Sequence, residues 1–200
     1  MNGNEHPDRI LRTFIAIPLP AEVSEALHAA TQAMRRERAL REVRWLPPDN
    51  YHLTLAFLGP TPASSVAGLC DTLSALARHA APHLRLTRLE PFPAQRPHVV
   101  AAMVAGDDAL DVLYQALREA LTTLGVAVES RPLVPHITVA RSRRSARGRR
   151  PLKPFEPVAL EATWWGETLS LYQSEAADGG VRYTALCTVE LAAPEETGTG

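Results

Sequence analysis

The sequence predicts an α+β fold built on antiparallel sheets. Helix-period and strand-period segments mingle along the chain without the regular strand-helix alternation of a parallel doubly wound sheet. A strand motif also occurs twice, 84 residues apart, so that the two halves of the chain echo each other. At 200 residues the chain has the length of one domain, or of two small lobes sharing a core, and this periodicity leaves the strand order open.

Each element has its own signal. Residues 12–18, with T-F-I-A-I, read as a strand that stops at Pro18 and Pro20. From Ala21, the positions Val23, Ala26, Leu27, Ala30, Ala33 and Met34 form one helical face. Residues 43–46 are short and extended, and residues 47–50 (P-P-D-N) form a turn. A strand over 52–58 ends at Gly59-Pro60, and a helix follows with Val66, Leu69, Cys70, Leu73, Leu76 and Ala77 on one side. Strands over 84–89 and 99–104 can make a hairpin. Asp107 or Asp108 can cap a helix whose face is Leu110, Leu113, Tyr114, Leu117, Leu121 and Leu124, with Gly125 as its stop. Strands are then expected over 126–129, 133–140, 158–164, 168–174 and 181–191, before a small, polar and mobile tail from Ala192.

Composition narrows the classes of function. Hydrophobic residues make up 46% and charged residues 22%, and 21 basic side chains nearly balance 22 acidic ones, which excludes an extensively disordered polyelectrolyte or a uniformly basic nucleic-acid binder. The balance is uneven along the chain: Arg141, Arg143, Arg144, Arg147, Arg149 and Arg150 fall within ten residues. Cys70 and Cys187 are too few for a disulfide framework or a thiolate metal cage, and are expected as reduced, packed thiols. The polar start M-N-G-N-E-H-P-D-R and the lack of any long apolar run predict no signal peptide, no membrane partner and a cytoplasmic protein.

The repeated motif carries the chemistry. It reads H-L-T-L-A at His52 and H-I-T-V-A at His136, each preceded by a proline-containing turn. Strand alternation puts His52 and Thr54 on one face and Leu53, Leu55 and Phe57 on the other; His136 and Thr138 likewise oppose Ile137 and Val139. If the halves pack as equivalent lobes, two imidazoles and two hydroxyls meet in one cleft. Histidine titrates near neutrality, so one copy can donate a proton while the other accepts one. Threonine hydroxyls can hold phosphoryl oxygens where charge develops. The reaction implied is phosphodiester hydrolysis by general acid-base catalysis. A structural histidine is the commoner fate of either segment alone, but shared offsets, alternation and turns argue against two unrelated structural residues.

Together with R-T-F-I-A-I-P-L-P, R-W-L-P-P-D-N-Y-H-L-T-L-A-F-L-G, P-H-I-T-V-A-R and L-Y-Q-S-E followed by G-G-V-R-Y, these motifs resemble the two-histidine phosphoesterase superfamily. Within it the resemblance is to the bacterial and archaeal RNA 2′,3′-cyclic phosphodiesterases, also called 2′-5′ RNA ligases. It implies a bilobal, pseudo-symmetric fold over residues 1–191, with both motifs facing a central cleft, a flexible tail over 192–200 and no metal or other cofactor. It also implies that His52 protonates the leaving 3′ oxygen, that His136 activates water, and that Thr54, Thr138 and Arg141 hold the phosphate. The partner implied is RNA or an oligonucleotide with a 2′,3′-cyclic phosphate end, opened to a 2′-phosphate; nothing in the sequence demands more than a monomer.

Other residues support weaker readings. The arginine run can grip an RNA backbone or form a solvated loop. Phe14, Trp45, Tyr51, Trp164 and Trp165 can stack a base, although core packing is the expectation for most. His98 is expected to be buried with a satisfied ring nitrogen, and His28, His79 and His83 to face solvent. A binding module with little turnover is the competing class, disfavoured because binding alone needs no matched proton donor and acceptor. A metal hydrolase is disfavoured by the absence of an H-x-x-x-H helix or nearby aspartate cluster.

Overall fold

The computed structural model describes residues 8–129, 131–145, 148–177 and 180–193. In chain order the elements are β1 (Ile10–Pro18), α1 (Ala21–Met34), β2 (Val43–Trp45), β3 (His52–Pro62), α2 (Val66–Ala75), β4 (His83–Phe92), β5 (Val99–Gly106), α3 (Asp108–Thr123), β6 (His136–Ser142), β7 (Arg144–Ser145), β8 (Gly148–Arg149), β9 (Val158–Trp165), β10 (Thr168–Ala177) and β11 (Gly180–Glu190). Among the described residues nine strands form one antiparallel sheet in the order β11-β10-β1-β3-β6-β5-β4-β9, with β2 beside β6, and β7 pairs with β8 as a separate ribbon.

This order has an internal two-fold pattern, because four strands lie on each side of the β3–β6 seam. The units β1-α1-β3 and β5-α3-β6 correspond, each an antiparallel strand pair joined through a helix. The expected lobes are thus joined as halves of one continuous sheet. One face carries the helices, with α1 against β9, α2 against β10 and β11, and α3 against β5. A single apolar cluster runs through both halves, including Ile15, Ile17, Leu27, Leu53, Leu84, Leu113, Ile137 and Leu171. The other face forms the cleft.

Helix α3 follows its sequence signals closely. The Asp107 carboxylate accepts from the Leu110 N–H at 3.3 Å, and Leu110, Leu113, Tyr114, Leu117 and Leu121 are buried, whereas Leu124 is exposed. At its C-terminus Gly125 has φ +76°, and the Gly125 and Val126 N–H groups donate to the carbonyls of Thr122 and Leu121. That double closure is a Schellman motif, which uses the Val126 N–H to end the helix. The strand expected over 126–129 is consequently absent, and the next strand starts only at His136 rather than at residue 133. In α1 the buried stripe is Val23, Leu27, Thr31 and Met34; Ala26 and Ala33 face outward, and Thr31 joins the core with its hydroxyl bonded to the His28 carbonyl at 2.7 Å.

Two expectations change. Cys70 on α2 and Cys187 on β11 form a disulfide rather than separate reduced thiols. The helix packs directly over β11, so thiols 117 residues apart in sequence are brought within bonding distance by tertiary structure alone. The boundary at Ala192 also moves: its N–H donates to the His79 carbonyl and its own carbonyl accepts from Ala81, so the chain stays attached at this residue. The tail beyond 193 lies outside the described residues.

Replacing both cysteines by alanine is expected to cost about 2–5 kcal/mol of unfolding free energy, the range for a native cross-link closing a long loop. Denaturant unfolding of the oxidised protein and the double variant measures this, and mass mapping of a Cys70–Cys187 peptide pair without reductant checks the bond itself.

Candidate active site

Strands β3 and β6 meet at one register pair, Leu53 with Ile137, and both side chains are fully buried. Because the pairing is antiparallel, stepping outward by one residue sets His52 beside Thr138 and Thr54 beside His136. All four half-buried side chains lie on the cleft face. Two motifs far apart in sequence become one constellation around a local two-fold.

The two halves also share an irregularity. In β3, Ile15 pairs with Ala56 and Ala16 with Thr54, leaving Leu55 as an extra residue; in β6, Val100 pairs with Ala140 and Ala101 with Thr138, leaving Val139 extra. Each bulge reverses the alternation beyond it. Ala56 and Ala140 therefore turn to the core, while Phe57 and Arg141 emerge on the cleft face. Strict alternation grouped Phe57 with Leu53 and Leu55, but it is 66% exposed and lines the cleft. Arg141, at an odd spacing from His136, reaches the same face as that histidine only because of the bulge.

Both imidazoles are oriented by the carbonyl two residues upstream. His136 Nδ1–H donates to the Val134 carbonyl at 2.7 Å, which leaves Nε2 as the ring's free lone pair. His52 makes the corresponding bond to the Asn50 carbonyl, and the Asn50 side chain donates to the Val181 carbonyl of β11 at 2.9 Å. Aromatic rings hold the imidazoles in place. Phe14 lies 4.7 Å from His52 between ring centroids, Tyr183 meets it edge-on at 5.0 Å, and Phe92 lies 4.4 Å from His136. Ala101 stands opposite Thr138 as a buried small residue, and the ring beside His136 is Phe92 of β4.

The cleft around His52 has a volume of about 910 Å³. Four arginines line it, Arg12, Arg44, Arg141 and Arg143, with no carboxylate in its wall among the described residues. Burial lowers the His52 pKa from 6.5 to about 4, opposed by the Asn50 bond and assisted by the positive charge of Arg141 and by His136. His136 is shifted downward as well, by burial first and then by Arg141, with the Val134 bond opposing. In the free protein both rings are therefore neutral at neutral pH rather than one neutral and one charged. An anion in the cleft would raise both. Among the described residues no three His, Cys, Asp or Glu side chains converge as metal ligands.

The pattern that defines the family described as LigT like Phosphoesterase matches residues 17–101. The RNA 2′,3′-cyclic phosphodiesterase of Escherichia coli is 33% identical over 183 residues, which cover 88% of this chain and 93% of that protein. The chain belongs to the LigT-like phosphoesterase family. Its counterpart in Geobacillus stearothermophilus, also named RNA 2′,3′-cyclic phosphodiesterase, is 34% identical over 151 residues, or 74% of this chain, which spans 46% of that relative's length. The solved structure of E. coli LigT complexed with 3′-AMP superposes with a TM-score of 0.74 at 28% identity, over 92% of this chain and 99% of that one.

Of the five residues singled out in the LigT-like motifs, His52 and Arg141 line the cleft, whereas His136, Thr54 and Thr138 stand at the β3–β6 seam beside it. Among the five aromatics considered as base platforms, only Phe14 lines the cleft, and it is as buried as Tyr51 and Trp164, packed against His52, Tyr172 and Tyr183; Trp45 packs under Arg35, and Trp165 on β9 stands beside His83. His98 is half-buried, with Nδ1 bonded to the Arg96 carbonyl at 3.2 Å; His28 and His79 are also half-buried, and His83 is exposed. Arg12, Arg44, Phe57, Phe92 and Tyr183 were not singled out. Arg12, Arg44 and Tyr183 lie within the family-like segments but outside the repeated histidine motif, Phe92 lies outside those segments, and Phe57 needed the bulge. Arg44 stands directly opposite Arg141 in the β2–β6 register, a like-charge pair that costs stability unless an anion lies between them.

Two outcomes follow from these charges. Arg44→Gln is expected to raise the thermal midpoint of the free protein while weakening inorganic phosphate binding, measured by calorimetry. Because the folded pKa of His52 lies below its unfolded value, stability should fall as pH drops from 6.5 toward 4. Urea melts across that window should show a smaller fall for His52→Asn.

Proposed function

We propose that this chain is an RNA 2′,3′-cyclic phosphodiesterase, a single bilobal domain over residues 1–191 that acts as a cytoplasmic monomer and opens terminal cyclic phosphates to 2′-phosphates without a metal. The observation that carries the reading is the pair of backbone-oriented imidazoles flanking the Leu53–Ile137 seam beside an arginine-lined cleft. The names of the relatives and the 3′-AMP bound to E. coli LigT support the substrate class.

In this reading Arg141 and the Thr54 and Thr138 hydroxyls hold the non-bridging oxygens of the cyclic phosphate. The free Nε2 of His136 takes a proton from water as the water oxygen attacks phosphorus. The bond from phosphorus to the 3′ oxygen breaks, and His52, protonated in the anionic complex, gives that oxygen its proton. The 2′ ester remains. With a 5′ hydroxyl in place of water, the same proton transfers yield a 2′-5′ linkage, so ligation is the companion reaction. A histidine with a depressed pKa is a strong acid once protonated, which suits an alkoxide leaving group.

A short RNA ending in a 2′,3′-cyclic phosphate, incubated in EDTA, should yield the 2′-phosphate, identified by chromatography. His52→Ala and His136→Ala should each reduce kcat/KM by about 10²–10⁴-fold. Full turnover in either variant, or loss of wild-type activity on chelation alone, overturns the mechanism. Tight binding without turnover makes the protein a binding module, and activity only on other cyclic or 2′-5′ linked nucleotides moves the substrate. A substrate with sulfur at the 3′ bridging position needs no protonated leaving group, so it should restore His52→Ala and not His136→Ala. The profile of kcat/KM against pH should be bell-shaped with its maximum below 6.5, because both imidazoles of the free protein are shifted downward. Arg141→Gln should move that maximum upward.

A further inference from the structure

Past the end of β6 lies a second hollow of about 290 Å³. Arg38 and Arg41 reach it from the turn after α1, and Arg143, Arg150 and Lys153 from the chain after β6. Glu42 is the only carboxylate in its wall among the described residues, and its ion pair with Arg150, at 3.6 Å between exposed side chains, neutralises little. The chain as a whole carries a net charge of only −1, so this concentration of cations is a local feature maintained against mutual repulsion.

The hollow is anchored and continuous with the active site. Leu152 is buried, and its N–H donates to the Pro97 carbonyl at 2.7 Å, which ties the basic segment to the sheet next to β5. Ser142 and Arg143 line both hollows, so Arg143 stands on the ridge between them. Among the described residues the wall contains no aromatic ring that could stack a base, which suits recognition of a backbone rather than of sequence.

We propose that this hollow binds the backbone phosphates of the RNA strand on the 5′ side of the terminal nucleotide, so that the enzyme prefers oligonucleotide ends to mononucleotides regardless of sequence. The proposal rests on the phosphodiesterase reading of the cleft. Its chemistry is a chain of singly charged phosphates, each met by an arginine or lysine outside the reacting centre.

The test compares wild type with the combined variant Arg38→Glu, Arg150→Glu, Lys153→Glu. One substrate is a nucleoside 2′,3′-cyclic monophosphate, and the other an RNA of roughly ten nucleotides with the same end. The variant should keep wild-type kcat/KM on the mononucleotide, which also reports its folding, while its KM for the oligonucleotide rises at least about tenfold. For three lost phosphate contacts the slope of log affinity against log salt should become shallower by about 2. An unchanged oligonucleotide KM, or an equal loss on both substrates, overturns the proposal. If wild type turns over neither substrate, the cleft reading fails separately, and anisotropy of a 5′-labelled RNA still decides: weaker binding by the variant sustains the hollow, and equal binding sinks it. Wild-type binding to anionic vesicles and not to RNA would make this a membrane-facing surface and overturn the proposal.

Discussion

The site depends on a very narrow contact. Strands β3 and β6 share one register pair, Leu53 with Ile137, and the halves of the sheet are joined across it. Because side chains alternate, a slip of either strand by one residue at this seam would turn its own histidine and threonine into the core and break up the constellation. The pair is buried in the apolar cluster that spans both halves, so the packing that stabilises the fold also sets the register of the chemistry. Flanking strands carry the long ladders of the sheet.

Electrostatics is arranged around the same point. Four arginines line the cleft with no wall carboxylate among the described residues to balance them, and burial withholds protons from His52 in its wall and from His136 beside it. Arg44 opposite Arg141 is unfavourable in the empty protein and favourable around a phosphate, so part of the stability of the free fold is exchanged for anion affinity. Asn50 couples this chemistry to the periphery: its carbonyl orients His52 while its side chain bonds β11. The disulfide from Cys187 to α2 then restrains that same edge strand.

Much of the fold was legible where local chemistry decides conformation. Asp107 and Gly125 mark the ends of α3, and the leucines between them mark its buried face. A β-rich run located β1, and hydrophobic alternation located β3 and β6 together with their core sides around the histidines. It failed at Phe57, because a bulge depends on how two strands fit and leaves no mark in the period of one of them. The arginine cluster was visible as composition, but its division between two hollows was not: Arg141 and Arg143 line the cleft, Arg143 and Arg150 the second hollow, Arg144 and Arg149 lie in the β7–β8 ribbon, and Arg147 falls outside the described residues.

By itself the sequence determined the reactive groups and their local geometry: two histidines, each with a threonine two residues on and an aliphatic side to bury. Those properties follow from covalent spacing and the two-residue period of a strand, which holds from each histidine to its threonine because the bulges lie beyond them. Only the tertiary structure decided that the motifs meet across Leu53 and Ile137, that paired bulges bring Arg141 and Phe57 into the cleft, and that Cys70 reaches Cys187. Each of these is a contact between residues distant in the chain, set by the packing of one sheet against its helices.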